Sequence, residues 1–190
     1  MRKVVVSEFV TLDGVIEDPG GSDGTKHGGW SFQYGSEEQG KYKFDELFAS
    51  DALLLGRVTY QGFAAAWPTM PGTGVYGERM NSLPKYVATT TLSEMSWNAT
   101  PIKGDIAQEV SRLKQQPGQD ILVFGSGRLV HALHERDLID EYRLMIFPVV
   151  LGSGKRLFPD ANDKKVLKLV ETKPLGSGVV VLTYQPERNA

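Results

Sequence analysis

Two segments of this chain carry the residue types that grip phosphate. Leu53-Leu54-Leu55-Gly56-Arg57-Val58-Thr59-Tyr60 and Ile121-Leu122-Val123-Phe124-Gly125-Ser126-Gly127-Arg128-Leu129-Val130 each run from apolar residues through glycine to an arginine and the expected start of a helix. A helix N-terminus offers unpaired backbone N–H groups and the positive end of a dipole, and glycine lets an anion approach the main chain closely. Two such ends at one crevice would hold a diphosphate. Arg57 and Arg128 add fork-shaped donors for a further phosphate, such as the 2′-phosphate of NADPH.

Neither segment is a standard nucleotide motif. The second matches part of the G-x-G-x-x-G fingerprint, but Val130 replaces the third glycine and no acid follows at about 20 residues in a clear second strand. No glycine-lysine-serine/threonine triplet occurs, so a P-loop is excluded.

Other residues have two readings each. Asp13 either orients or protonates a substrate amide, or closes an Asp-Gly turn. Glu37 and Glu38 suit a solvated first helical turn, favoured by the dipole. Trp30 and Tyr34 either stack on a flat ring or anchor their own loop. Gly152-Ser153-Gly154-Lys155-Arg156 either holds a substrate phosphate or forms a solvated glycine loop. His131 and His134, with Glu135, have helical spacing but face away from Leu129, Val130 and Leu133, so an exposed surface and no metal are expected.

These groups need a scaffold, and the apolar pattern supplies one. Residues 3–12 read as a first strand ending at Asp13-Gly14, and a long glycine-rich stretch from Asp18 to Gly40 reads as a packed lid. Phe44, Leu47 and Phe48 mark a helix over 37–50, followed by a strand at 52–55 and a helix over 58–66 that stops before Pro68. Pro71 to Ser82 reads as a second loop before a strand at 85–90. Ile106, Val110 and Leu113 mark another helix, then come a strand at 120–124, a helix at 127–136 and a long strand from Tyr142 to Leu151. Strands near 165–172 and 178–185 close the chain around the turn 175–178. Strands alternating with helices imply an α/β fold: a three-layer, mixed, mostly parallel sheet with helices on both faces and a C-terminal antiparallel hairpin. In such sheets ligands bind beyond the carboxyl ends of the strands, where both glycine junctions fall.

Composition narrows the partners. The 190 residues, 41% hydrophobic and 23% charged, suffice for one domain over 1–190 with a substantial core. With 21 basic and 23 acidic residues the net charge is −2, so no basic excess points to nucleic acid or an anionic membrane, and a small solute is the expected partner. Cysteine is absent, which removes disulfides, thiolate zinc sites and thiol catalysis and fits a reducing compartment. Ser7 and Glu8 interrupt the first apolar run too early for a signal peptide, and no stretch approaches the ~20 apolar residues of a membrane span. A cytoplasmic location is the expectation.

The ordered set resembles the dihydrofolate reductase-like family, and more closely its branch containing the reductase domain of riboflavin biosynthesis. The resemblance is carried by Leu12-Asp13-Gly14, Leu55-Gly56-Arg57-Val58-Thr59-Tyr60, Phe124 to Val130, Leu138-Ile139-Asp140-Glu141 and the run Pro148 to Phe158. It implies a dihydrofolate reductase-like fold and NADPH, held by Gly56, Arg57 and Thr59 on one side and by Gly125, Ser126, Gly127, Arg128 and Leu129 on the other, with Thr89 and Thr90 near the 2′-phosphate. It also implies a homodimer. In dihydrofolate reductases a carboxylate in the helix before the first junction binds the pterin; here an ungapped alignment puts Gly40 at that position, with Glu37 and Glu38 nearby. The resemblance therefore implies reduction of an aminopyrimidinone-like heterocycle, with a pterin or dihydrofolate reductase using Glu37 or Glu38, or a non-catalytic nucleotide-binding protein, as alternatives.

Overall fold

The computed structural model describes residues 1–158 and 164–187. Among these residues eight strands form one sheet: β1 (Val4–Thr11), β2 (Ser50–Gly56), β3 (Lys85–Ala88), β4 (Ala99–Ile102), β5 (Asp120–Phe124), β6 (Glu141–Phe147), β7 (Leu167–Pro174) and β8 (Val180–Pro186). Their order is β4-β3-β2-β5-β1-β6-β8-β7. The strands from β4 to β6 are parallel, while β8 runs antiparallel to both β6 and β7. This is the mixed, mostly parallel sheet with a terminal hairpin that the alternation of elements predicts.

Among the described residues five α-helices cover it: α1 (Glu37–Phe48), α2 (Arg57–Ala66), α3 (Gly74–Ser82), α4 (Ile106–Gln115) and α5 (Gly127–Glu135). Alternation along each strand splits the core into two layers. Val5, Leu53, Leu55, Leu122 and Phe124 pack with Leu47 of α1, Tyr60 of α2 and Met80 of α3. Val4, Val6, Leu54, Ile121 and Val123 pack with Val110 and Leu113 of α4 and with Leu129, Val130 and Leu133 of α5. Neighbouring strands β2 and β5 thus send their following helices to opposite faces, which opens a crevice beyond their carboxyl ends.

Four details differ from the sequence expectation. Residues 74–82, expected as loop, form α3; Tyr76 and Met80 supply its packing, and a Cβ at Gly77 would collide with the Thr73 side chain. β4 was not expected; its Pro101 is tolerated because β4 is the edge strand. β6 ends at Phe147 rather than Leu151, since Pro148 has no N–H and Val149 N turns back onto the Phe147 carbonyl at 2.8 Å. His131 and His134 are half-buried rather than exposed: His131 Nε2 lies 2.8 Å from the Leu157 carbonyl, and His134 Nδ1 2.7 Å from the Tyr142 hydroxyl.

The glycine-rich stretch after β1 is folded around Asp18. Its carboxylate accepts from the Asp23 amide at 3.0 Å and from the Thr25 amide and hydroxyl at 3.1 and 2.9 Å, and its carbonyl accepts from the Gly29 amide at 2.9 Å. Trp30 then drops into a third cluster with Met145, Phe147, Leu175, Val179 and Val181.

Candidate cofactor crevice and active site

At the crevice the two glycine junctions are bonded to each other. The Gly56 amide donates to Ser126 Oγ at 2.9 Å, and the Ser126 amide donates to Thr59 Oγ1 at 2.9 Å. Ser126 Oγ in turn donates to the Phe124 carbonyl at 2.9 Å. Gly125 and Ser126 are both left-handed, with φ of 52° and 63°. Two consecutive residues in that region swing the chain sharply from β5 into α5, a conformation that disfavours a side chain at the first position and strains the second.

The glycines are explained first by protein contacts. A Cβ at Gly125 would sit 3.2 Å from Thr59 Oγ1, and one at Gly56 would sit 3.4 Å from the Ser126 Cβ and 3.7 Å from that of Leu129. A Cβ at Gly127 would approach Ile16 Cδ1 at 3.0 Å. Small residues thus let α2, α5 and the segment after β1 close on one point. Leu129 is buried in the core layer under α5.

What this leaves free is the positive end of each helix. Ser36 and Asp105 cap α1 and α4 with their side chains, donor amides at Gln39 and Gln108, whereas α2 and α5 have no side-chain cap, nor does α3. Arg57 and Arg128, the first residue of α2 and the second of α5, are exposed. Among the described residues Arg57 hydrogen-bonds only to Gln61 of its own helix, at 3.0 Å, and none pairs with Arg128. Uncapped amides and two available guanidinium groups fit an anion with several phosphates. Thr89, just past β3, is buried and its hydroxyl accepts from the Thr91 and Leu92 amides at 3.2 and 3.1 Å; Thr90 is exposed.

The residues expected on the substrate side are more tied down. Asp13 accepts from the Thr11 hydroxyl at 2.5 Å and from the Gly152 and Leu151 amides at 2.8 and 3.3 Å. The Thr11 bond first, then the two amides against some desolvation, holds its carboxyl down at about 2, so near neutral pH it has no proton to give. Its place is that of a clamp on the 148–156 run. Lys155 pairs with Glu17 at 2.7 Å, and Arg156 donates to the Asp13 carbonyl. Between the folded stretch after β1 and that run lies a hollow of about 130 Å³ lined by Val15, Glu17, Thr25, Lys26, His27, Leu151 and Ser153.

Trp30 donates from Nε1 to the Glu17 carbonyl at 2.8 Å and meets Phe147 edge to face at 5.2 Å, which is the anchoring role. Tyr34 packs on the same ring at 5.8 Å and remains half-buried. Glu37 and Glu38 are exposed, and Glu38 accepts from the Gly176 amide at 3.2 Å, at the turn before β8. Gly40 is exposed, with open space where a Cβ would stand.

One acidic residue of this region escaped the sequence reading. Glu8 belongs to the central strand β1 and is only 5% exposed, yet its Oε1 is buried with no hydrogen-bond partner among the described residues. In the sequence its only signal is a charged residue inside the run Val4 to Thr11 that otherwise reads as a doubly buried strand.

Layer order, crevice and helix ends define a dihydrofolate reductase-like fold. Residues 2–181 match the RibD C-terminal domain, and the chain belongs to that family. Among its relatives is the uncharacterised protein YyaP of Bacillus subtilis (strain 168), 34% identical over 186 residues that cover 96% of this chain and 94% of the relative. Three solved structures share the fold. A Shewanella sp. PV-4 protein provisionally assigned to riboflavin biosynthesis superposes with a TM-score of 0.79 at 21% identity, covering 98% of this chain and 99% of that one. A deaminase/5-amino-6-(5-phosphoribosylamino)uracil reductase from Thermotoga maritima gives 0.64 at 15%, covering 97% and 56%. Dihydrofolate reductase from Enterococcus faecalis, complexed with NADP(H), gives 0.60 at 14%, covering 98% and 97%. No helix among the described residues is long and apolar enough to cross a membrane.

Proposed function

We propose that this protein is an NADPH-dependent reductase of a small, flat, aminopyrimidinone-like heterocycle. The observation that carries the reading is the pair of bonded helix ends: two N-termini without side-chain caps and two available arginines at one crevice. The Enterococcus dihydrofolate reductase, which shares the fold, is complexed with NADP(H). Gly56, Arg57 and Thr59 would hold one side of the diphosphate, and Gly125 to Arg128 the other. When bound, the cofactor supplies the hydride; the chain supplies position and a shielded site.

What supports this substrate class is the position in α1 that the resemblance assigns to the pterin carboxylate. A protonated pteridine needs a partner carboxylate, but Gly40 bears none, and the Glu38 carboxylate is engaged by the turn before β8. A pyrimidine reductase of the same fold occurs in the Thermotoga protein, which supports the pyrimidine over the folate reading.

The test is oxidation of NADPH, followed by absorbance, with a panel of aminopyrimidinones, dihydropterins, dihydrofolate and quinones. Turnover with an aminopyrimidinone and little with dihydrofolate is the expected result. Efficient dihydrofolate reduction that is lost in Glu37→Gln or Glu38→Gln would promote the folate reading, and tight NADPH binding with no turnover on any acceptor would favour a non-catalytic nucleotide-binding protein.

A further inference from the structure

Glu8 stands where the sheet opens. The last residue of β1 that pairs with β5 is Ser7, opposite Phe124; on the other side Glu8 still pairs with Leu144 of β6. Since β5 ends at Phe124, the Gly125-Ser126 turn and the first turn of α5 stand at the level of Glu8 instead of a strand. By alternation Glu8 shares its face with Val4, Val6 and Val10, in the layer that holds Leu129 of α5 and Ile16. It is thus a carboxyl set in an apolar wall beside the crevice.

Buried polar groups normally find partners, and one that does not calls for an explanation. No described residue gives Glu8 a hydrogen bond or an ion pair. Burial pushes its carboxyl well above the usual carboxylate range, opposed in part by the Lys43 ammonium of α1, which packs against Ser7 and Phe124 on the other face of the sheet. Burial therefore favours the neutral form of the group, which carries an O–H to donate.

We propose that Glu8 is the proton donor of the reduction, acting on the acceptor heteroatom at the inner end of the crevice. The inference rests on the NADPH reductase reading. The acceptor's C=N or C=O carbon receives the hydride, with both electrons, from the dihydronicotinamide; its nitrogen or oxygen receives the proton from Glu8. The C=X π bond and the Glu8 O–H bond break, and a C–H and an X–H bond form. Glu8 would be left as a carboxylate as the oxidised nicotinamide ring became positive, so the two opposite charges would arise together. Water returns the proton after the products leave.

This makes the protonation of Glu8 depend on the redox state of the cofactor, which is measurable without any substrate. Binding of NADP⁺ to the whole protein is titrated calorimetrically at neutral pH in two buffers of different ionisation enthalpy, and binding of NADPH likewise. The expected result is release of up to about one proton per NADP⁺ and essentially none with NADPH. Glu8→Gln should bind NADPH with little change, bind NADP⁺ more weakly because the positive ring loses its carboxylate partner, and release no proton. With an acceptor found by the panel its kcat should fall by about 10²–10⁴, the range for loss of a general acid. Glu8→Leu, which fits the apolar wall, should fold with equal or higher thermal stability and show the same loss of turnover. Equal proton exchange in wild type and Glu8→Gln, or wild-type kcat in either variant, would overturn the assignment while leaving the cofactor reading intact. Failure of both cofactors to bind would overturn both.

Discussion

The Ser126 amide donates to the Thr59 hydroxyl at 2.9 Å, joining two junctions 67 residues apart in sequence. The bond fixes α2 and α5 relative to each other and so sets the spacing of their N-terminal amides. Thr59→Val keeps the shape but removes the acceptor, leaving a main-chain donor unpaired beside the crevice. It should destabilise the protein by about 1–3 kcal/mol and weaken NADPH binding more than Thr59→Ser, as read by thermal denaturation and calorimetry.

The two junction glycines should respond differently to alanine. At Gly125 the new Cβ meets both a left-handed backbone and Thr59 Oγ1 at 3.2 Å; at Gly56 the φ is −78° and the nearest contact is an ordinary 3.4 Å. Gly125→Ala should therefore lower stability by about 1–2 kcal/mol, and Gly56→Ala by clearly less. Urea unfolding of the two variants checks the order; equal losses would show that conformational strain at Gly125 is relieved elsewhere.

Asp13 should contribute to acid stability rather than to proton transfer. Its folded value of about 2 lies below that of an unfolded aspartate, about 3.9, so its contribution is complete above the unfolded value. That contribution is lost as pH falls from about 4 toward 2. Asp13→Asn should lower stability near neutral pH and flatten this part of the profile. Thermal scans between pH 2 and 6 on both proteins make the comparison.

Arg57 and Arg128 should carry cofactor choice. A charge-assisted bond is worth about 1.5–3 kcal/mol, or roughly tenfold or more in affinity. At least one of Arg57→Ala and Arg128→Ala should weaken NADPH about tenfold while leaving NADH nearly unchanged. Calorimetric titration of both cofactors decides it, and equal losses for the two would place the 2′-phosphate away from these side chains.

The architecture was legible because the parallel strands are continuous apolar runs: residues 120–124 of the expected strand coincide with β5, and the glycines at 56 and 125 mark real strand-to-helix exits. α3 was hidden because Gly74 and Gly77 look like loop residues, although Gly77 is there to clear Thr73. β4 is four residues long at a sheet edge, too short to show a period of two. The roles of Thr59 and Ser126 depend on a contact between distant segments, which spacing along one segment cannot reveal. Glu8 was hidden for the opposite reason: the sequence displays it as one polar residue in a strand, and only the register with β5 shows that the neighbouring strand has ended there.

The central claim is that the bonded helix ends form the NADPH site, and amide chemical-shift mapping by NMR tests it most directly. On addition of NADPH the largest shifts should fall at the main-chain amides of Arg57, Val58, Thr59, Gly127 and Arg128, with smaller ones at Gly56 and Ser126, whose N–H groups are already bonded. No binding, or shifts confined to the hollow at Lys26, His27 and Ser153, would contradict the account.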